Sequence, residues 1–338
     1  MSRHERLYTP LTTRLFPKAG GADRYRISGL AARCDWVVLS DTQPPCHSGV
    51  RNRLTDTPRH IFLSLRNPFH AIRHFAQDVL PGLTAPFILI SGSEDATLPR
   101  QTDRRWRPFD AEERALIARI LASPLLVRWF VENLDDPAVP KMVPLPLGRV
   151  LPEGQGAVPL PETGLALPER PLRVLCGHRL RPGPQWETRR HVTDLARGPW
   201  AEFTTLLQED LSEPDFLAQV AGHSFVLCVE GGGVDPSPKA WQALEQGAIP
   251  IIRSHSLAAA YARLPVVIVP DWAPGHITPA ALALWRAQRA PQFAEGPARQ
   301  KLLHRLSLDF WWGEILAAWE EAQVDGDVSH AKQFQVKH

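Results

Sequence analysis

Short apolar runs recur along this chain, and each is followed by a polar loop and an amphipathic stretch. WVVLSD at 36–41, HIFLSL at 60–65 and PFILISGSED at 86–95 open the series. Brief runs bounded by turn residues read as strands, and near-continuous apolarity fits a sheet with both faces covered. Between them, NPFHAIRHFAQDVL (67–80) begins on Asn-Pro and spaces its apolar residues by three and four. FDAEERALIARILAS (109–123) opens with Asp110 as N-cap and carries Glu112 and Glu113 in its first turn. PLLVRWFVEN (124–133) and KMVPLPLG (141–148) add a buried segment and a short strand.

Residues 149–171, RVLPEGQGAVPLPETGLALPERP, have no helical period and read as a linker. Alternation then restarts. Strands are expected at LRVLCG (172–177), SFVLCVE (224–230), AIPIIRS (248–254) and VVIVPDW (266–272). Helices are expected at WETRRHVTDLARG (186–198), FLAQVAGH (216–223), KAWQALEQG (239–247) and SLAAAYARL (256–264), with one long helical tract over 300–323. No repeat is visible. The pattern predicts two Rossmann-like α/β domains facing a cleft, with the first at 1–150, the second at 151–305, and a closing helix and tail at 306–338. Open α/β sheets bind ligands beyond the carboxyl ends of their strands. That rule directs attention to the loops after 41, 95, 177 and 230.

Bulk composition narrows the classes. Of 338 residues, 44% are hydrophobic and 22% charged, as in an ordinary folded protein. A net charge of +2 gives no global argument for a nucleic-acid partner. Four cysteines, Cys34, Cys46, Cys176 and Cys228, show no metal-ligand spacing and read as buried thiols of a reducing cytoplasm. No secretory leader or membrane-length apolar run is seen. The expectation is a cytoplasmic protein.

The most telling stretch is VEGGGVDPSPKAWQALEQGAIPII (229–252). A strand leads into Glu230 and the glycines Gly231, Gly232 and Gly233, then Asp235 and Ser237, and a helix begins at Lys239. Glycines let a ligand approach the backbone, and a helix N-terminus offers unpaired N–H groups to an anion. Lys239 opposes the helix dipole at that end, so stability alone does not explain it; a bound diphosphate does. The motif is neither GxGxxG nor GxxxxGK[ST].

FVLCVEGGGVD, KAWQALEQGAIPI and the later LPVVIVPDW (264–272) together resemble the donor-binding half of exostosin-like glycosyltransferases. Gly231, Gly233, Asp235, Trp241, Ala243, Leu244, Gly247, Ile249, Pro250, Leu264, Pro265, Asp271 and Trp272 fall on that family's pattern. WFVENLDDPAVPKMVPLPLG (129–148) is similar to the end of the first domain in bacterial members. Lys239 stands where the family has Arg, and Gln242 where it has Glu. The resemblance implies a GT-B fold whose last helix returns to the first domain. It also implies transfer of a sugar from a nucleotide-diphosphate sugar to a glycan or lipid-linked glycan, with inversion. A lipid-linked acceptor would bring the protein to the inner face of a membrane.

On that reading the diphosphate lies against the glycine loop, Lys239, and Arg179 or Arg181 in CGHRLRPGPQWETRR (176–190). His178 lies in the same loop. Arg189 sits on the following helix and is left between this role and an ion pair with Glu187 or a distant acid. Gln242, or Glu245 one helical step on, addresses the ribose. A general base is sought in the first domain, with Asp95 first, Asp41 second, and Glu94 and His47 behind them; the competing role for each Asp is an ordinary loop cap. Ser254, His255, Asp271 and Trp272 end strands at the same edge, with His255 and Trp272 read as structural. Asp135-Asp136 is not preceded directly by a strand, so no metal is assigned, and the cations neutralise the diphosphate. No cofactor beyond the co-substrate is expected. Two alternatives remain: a catalytically degenerate domain that binds glycan or scaffolds a partner enzyme, and a nucleotide-sugar epimerase.

Overall fold

The computed structural model describes residues 7–151, 156–160, 165–183, 186–231, 233–236 and 238–335, with side chains through 322. The chain enters by β1 (Leu7–Tyr8) and α1 (Gly29–Arg33). It then forms β2 (Trp36–Ser40), β3 (His47–Arg51), β4 (His60–Ser64), α2 (Pro68–His74), β5 (Phe87–Gly92), α3 (Ala111–Ala122), β6 (Leu126–Val131) and β7 (Met142–Pro144). These strands make one sheet in the order β3-β2-β4-β5-β6-β7. All neighbours are parallel except the antiparallel edge strand β3. The helices start where the sequence places them. Asn67 caps α2, and Asp110 and Glu113 form a reciprocal capping box on α3. The helical path of α2 continues as a π-turn over Phe75–Val79.

β8 (Val158–Pro159) pairs antiparallel with β1 inside the expected linker. The second sheet follows: β9 (Val174–Cys176), α4 (Glu187–Arg197), β10 (Thr204–Leu206), α5 (Glu213–Ala221), β11 (Phe225–Leu227), α6 (Lys239–Glu245), β12 (Ile249–Arg253), α7 (Ala258–Tyr261) and β13 (Val267–Val269). Its order is β10-β9-β11-β12-β13, parallel throughout. Phe62, Ile88, Phe225 and Ile251 are wholly buried, as strands covered on both faces require. Each such side chain contributes about 1.5–3 kcal/mol on transfer from water. Cys34, Cys176 and Cys228 are buried free thiols and Cys46 is half-buried.

The tail is α8 (Pro279–Phe293), α9 (Pro297–Leu306) and α10 (Leu308–Gln335). The single tract expected over 300–323 is broken at Ser307, which is extended with φ −79° and ψ 155°. Across that break, Leu11 N–H donates to Leu306 O and Leu308 N–H to Thr9 O, each at 2.9 Å. α10 then lies on the first domain: the Trp312 ring meets His60 at 4.8 Å, and Arg33 pairs with Asp309 at 2.5 Å. The architecture is GT-B, two Rossmann-like sheets with their carboxyl ends facing and a last helix returning to the first. No helix among the described residues is long and apolar enough to cross a membrane.

Candidate functional site

In the second sheet the chain goes from β9 outward to β10, then back past β9 to β11. The carboxyl ends of β9 and β11 are therefore a topological switch point, where the exit loops diverge and leave a crevice. The first described sheet runs from β2 through β4, β5 and β6 to β7 in one direction and has no such point. The described loop residues at the crevice are 177–183, 228–231 and 233–236, which carry part of the basic segment, Gly231 and Gly233.

Arg189, on the first turn of α4, ties those loops together. Its guanidinium donates to Val229 O at 3.3 Å, Glu230 O at 3.2 Å and Arg179 O at 3.4 Å, and lies 4.7 Å from the Trp186 ring. It takes none of its bonds from Glu187, whose carboxylate is 3.0 Å from Arg104 of the first domain. A Cβ on Gly231 would sit 3.0 Å from Arg189 Nη2 and 3.3 Å from Trp186, so this glycine leaves room for the guanidinium. Burial lowers the Arg189 pKa to about 10, and it stays cationic at neutral pH. Half-buried Lys239 lies in the same field. Burial, followed by Arg189, pushes its ammonium down to about 8, and Arg179 adds to the effect. Cations are thus gathered against one another at the switch point.

The other basic candidates are less central. Arg179 is exposed and pairs with Asp210 at 3.1 Å; Arg181 lies 5.8 Å from the Trp186 ring. His178 is no cation: burial, with Lys239 beside it, lowers its pKa to about 4, and Nε2 lies 2.9 Å from both Arg189 O and Thr193 Oγ1. α6 is only seven residues long, and its N-cap Pro238 supplies no side-chain bond. The case for anion binding therefore passes from the helix end to the cations. Gly232 and Ser237 lie outside the described residues.

Several expected donor contacts are turned elsewhere. The Glu245 carboxylate is buried between Tyr8 Oη, which donates to it, and Arg149 at 2.8 Å, so it has no path to a ribose. Gln242 donates to Glu213 at 3.3 Å. Asp235 accepts from Leu147 N–H of the first domain at 3.1 Å and from Tyr261 Oη at 3.0 Å. A Cβ on Gly233 would sit 2.9 Å from Asp95 O, so that glycine accommodates the first domain. Glu230 pairs with Arg253 and accepts from Trp272 Nε1 at 3.4 Å. Burial lowers His255 to about 4; its Nδ1 accepts from Leu257 N–H at 3.0 Å, so the proton sits on Nε2. Asp271 lies 2.6 Å from His276 Nδ1.

The first sheet's carboxyl edge is an ion network. Asp95 is gripped by Arg14 and by Arg105 at 2.6 Å. Burial opposes its charge, but the two guanidiniums win and hold its pKa well below the usual carboxylate range. A carboxylate so stabilised is a poor proton acceptor, which argues against Asp95 as base. Asp41 is buried and accepts from Tyr25 Oη at 2.6 Å and Gln43 N–H at 2.8 Å, the loop-capping role. Glu94 pairs with Arg66. His47 lies on β3 instead of in a loop, with Nδ1 3.0 Å from His70 Nε2. Glu132 was not singled out by sequence. It lies 2.6 Å from Arg14, accepts from Ser93 N–H at 2.8 Å, and is pushed by burial up to about 7. It is buried within the wall. Asp135 and Asp136 anchor the 97–100 loop, through Thr97 Oγ1 at 2.6 Å and Arg100 at 2.5 Å. Among the described residues, no group of three or more His, Cys, Asp or Glu side chains could hold a metal ion.

No protein-family model and no curated protein matches this chain in sequence. In three dimensions it is similar to the crystal structure of Anabaena Alr3699/HepE in complex with UDP and glucose. The TM-score is 0.41 at 10% identity, over 78% of each chain. It is also similar to the structure of the glycotransferase of kitacinnamycin, with a TM-score of 0.34 at 11% identity, over 78% of this chain and 76% of that one. Likenesses this loose leave the case for a site to this chain's own residues.

Proposed function

We propose that the chain transfers a sugar from a nucleotide-diphosphate sugar to a hydroxyl of a glycan or lipid-linked glycan held against the first domain. The observation that carries this reading is the gathering of Arg189 and Lys239, with Arg179 at the rim, at the switch point of the second sheet. Like charges held together in a half-buried place raise the energy of the empty site. A diphosphate relieves that repulsion, and during transfer the same cations stabilise the charge that grows on the leaving phosphate. Lys239 supplies a movable point charge where Arg would supply a fixed fork. In this scheme the cations serve in place of a metal. Asp95 acts through Arg105 as part of the facing wall. Inversion stays with the family resemblance, since Asp41, Glu94 and Asp95 are each held by a partner.

A second reading is favoured by one observation. Asp235 and Gly233, which the family pattern assigns to the donor, and Glu245, which helical spacing offered to the ribose, join the two domains instead. A degenerate domain that binds glycan without nucleotide would show this too. A thermal-shift screen against UDP, GDP, CMP, ADP and dTDP, repeated on Lys239→Ala, separates the two. Ligands that bind only the folded chain raise its Tm by mass action. Transfer predicts a rise with one nucleotide that Lys239→Ala loses. No rise with any of them leaves the second reading standing.

A further inference from the structure

The glycine loop is shaped from both sides, and one of those sides is the other domain. Asn133 follows β6 by two residues and is buried. Its Oδ1 accepts from Val234 N–H at 3.1 Å and from Asp235 N–H at 3.2 Å, both in the glycine loop. Its Nδ2 donates to Glu94 O at 3.2 Å and to Glu132 Oε1 at 3.3 Å. A side-chain amide offers two acceptor sites and two donor hydrogens, and all four are used here. Two reach across to the second domain and two stay in the first. The approach is close: a Cβ on Gly233 would lie 2.9 Å from Asn133 Cγ as well as from Asp95 O. The loop's other end is fixed inside its own domain, where Arg189 holds Val229 O and Glu230 O.

We propose that Asn133, a first-domain residue, is a positioning residue for the glycine loop of the second domain. The loop takes its path past Lys239 and Arg189 only while the two domains are docked. This rests on reading the loop as part of the nucleotide site. Separating the domains would strip Val234 N–H and Asp235 N–H of their acceptor. The freed glycine segment would then lose the shape that a diphosphate needs. Donor affinity is thereby tied to contact with the acceptor-bearing domain, through Glu94 O and the Glu132 carboxylate on the far side of the same amide. Family position explains Gly233 as room for a ligand; this geometry explains it as room for Asn133.

The test is residue-resolved hydrogen exchange on the whole chain, wild type against Asn133→Ala, with Gly233→Ala as a second variant that disturbs the contact from the other side. The Cys228 amide, which donates to Ile251 O at 2.9 Å within the second sheet, reports whether that domain stays folded. The expected result is at least a tenfold loss of protection at Val234 and Asp235 with Cys228 unchanged. A roughly tenfold weaker Kd for the nucleoside diphosphate found in the screen should accompany it, the size of one or two lost hydrogen bonds. Unchanged exchange at Val234 and Asp235, or lost protection with unchanged affinity, overturns the proposal. If no nucleotide binds even the wild type, the function reading falls, and the exchange data alone decide whether Asn133 shapes the loop.

Discussion

The two sheets present opposite kinds of carboxyl edge. In the first, acids and arginines interlock: Arg14 bridges Asp95 and Glu132, Arg105 bridges Asp95 and Asp103, and Arg66 takes Glu94. In the second, Arg189 donates to backbone carbonyls, lies in the field of Asp95 and Glu230, and lowers the Lys239 pKa. The first edge has settled its electrostatics within the fold. The second brings Arg189 and Lys239 close enough to lower the Lys239 pKa, which is the feature that the proposed diphosphate site uses. The arginines of the two edges differ in what surrounds them: carboxylates hold Arg14 and Arg105, backbone carbonyls hold Arg189.

Breaking the interlocked edge should have the larger effect. Arg14→Met leaves buried Glu132 without its cation and half-buried Asp95 with Arg105 alone, a change expected to cost about 3–5 kcal/mol. Urea unfolding at pH 7 measures it. A loss below about 1 kcal/mol would mean that the network is not the frame described. Disturbing the second edge should have the opposite sign. The Lys239 pKa is lowered on folding, so between about pH 8 and its unfolded value the unfolded chain binds more protons and this group's contribution rises with pH; below pH 8 its cost is fully present. Lys239→Met removes that cost and is expected to raise stability without nucleotide, by up to about 1 kcal/mol, while weakening nucleotide binding. A clear loss of stability would show that Lys239 is a structural cation like Arg14, and the contrast between the edges would collapse.

How much of this was legible follows from the range of the forces. Central strands such as Phe87–Gly92 and Ile249–Arg253 are near-continuous apolar runs and read directly. The edge strands His47–Arg51 and Thr204–Leu206 did not, because half-exposed edges tolerate polar residues; HSGVR alternates exposed and half-buried along its length. The helix Pro279–Phe293 lies outside the expected elements, although Thr278 caps it just before a proline. Position of the glycine loop at a strand's carboxyl end was readable from topology. The direction each side chain faces was not. Glu245 finds Tyr8 and Arg149, and Asp235 finds Leu147, partners far away in sequence that only domain docking brings near. The two roles open to Arg189 could have been narrowed by Trp186 three residues before it, since an arginine one helical turn from an indole can stack on it.

The central claim is that the cations at the β9/β11 switch point receive a diphosphate. Its most direct test is calorimetric titration of the chain with a nucleoside diphosphate and with the matching nucleoside, at pH 7 and pH 10, on wild type and Lys239→Met. The account predicts diphosphate binding at least about 100-fold tighter than nucleoside at pH 7, a few kcal/mol of charge-assisted contacts. The advantage should shrink at pH 10, as Lys239 with its pKa of about 8 loses its proton, and should shrink likewise in the variant at pH 7. Equal affinity for nucleoside and diphosphate, or a diphosphate preference untouched by both pH and the substitution, would contradict it.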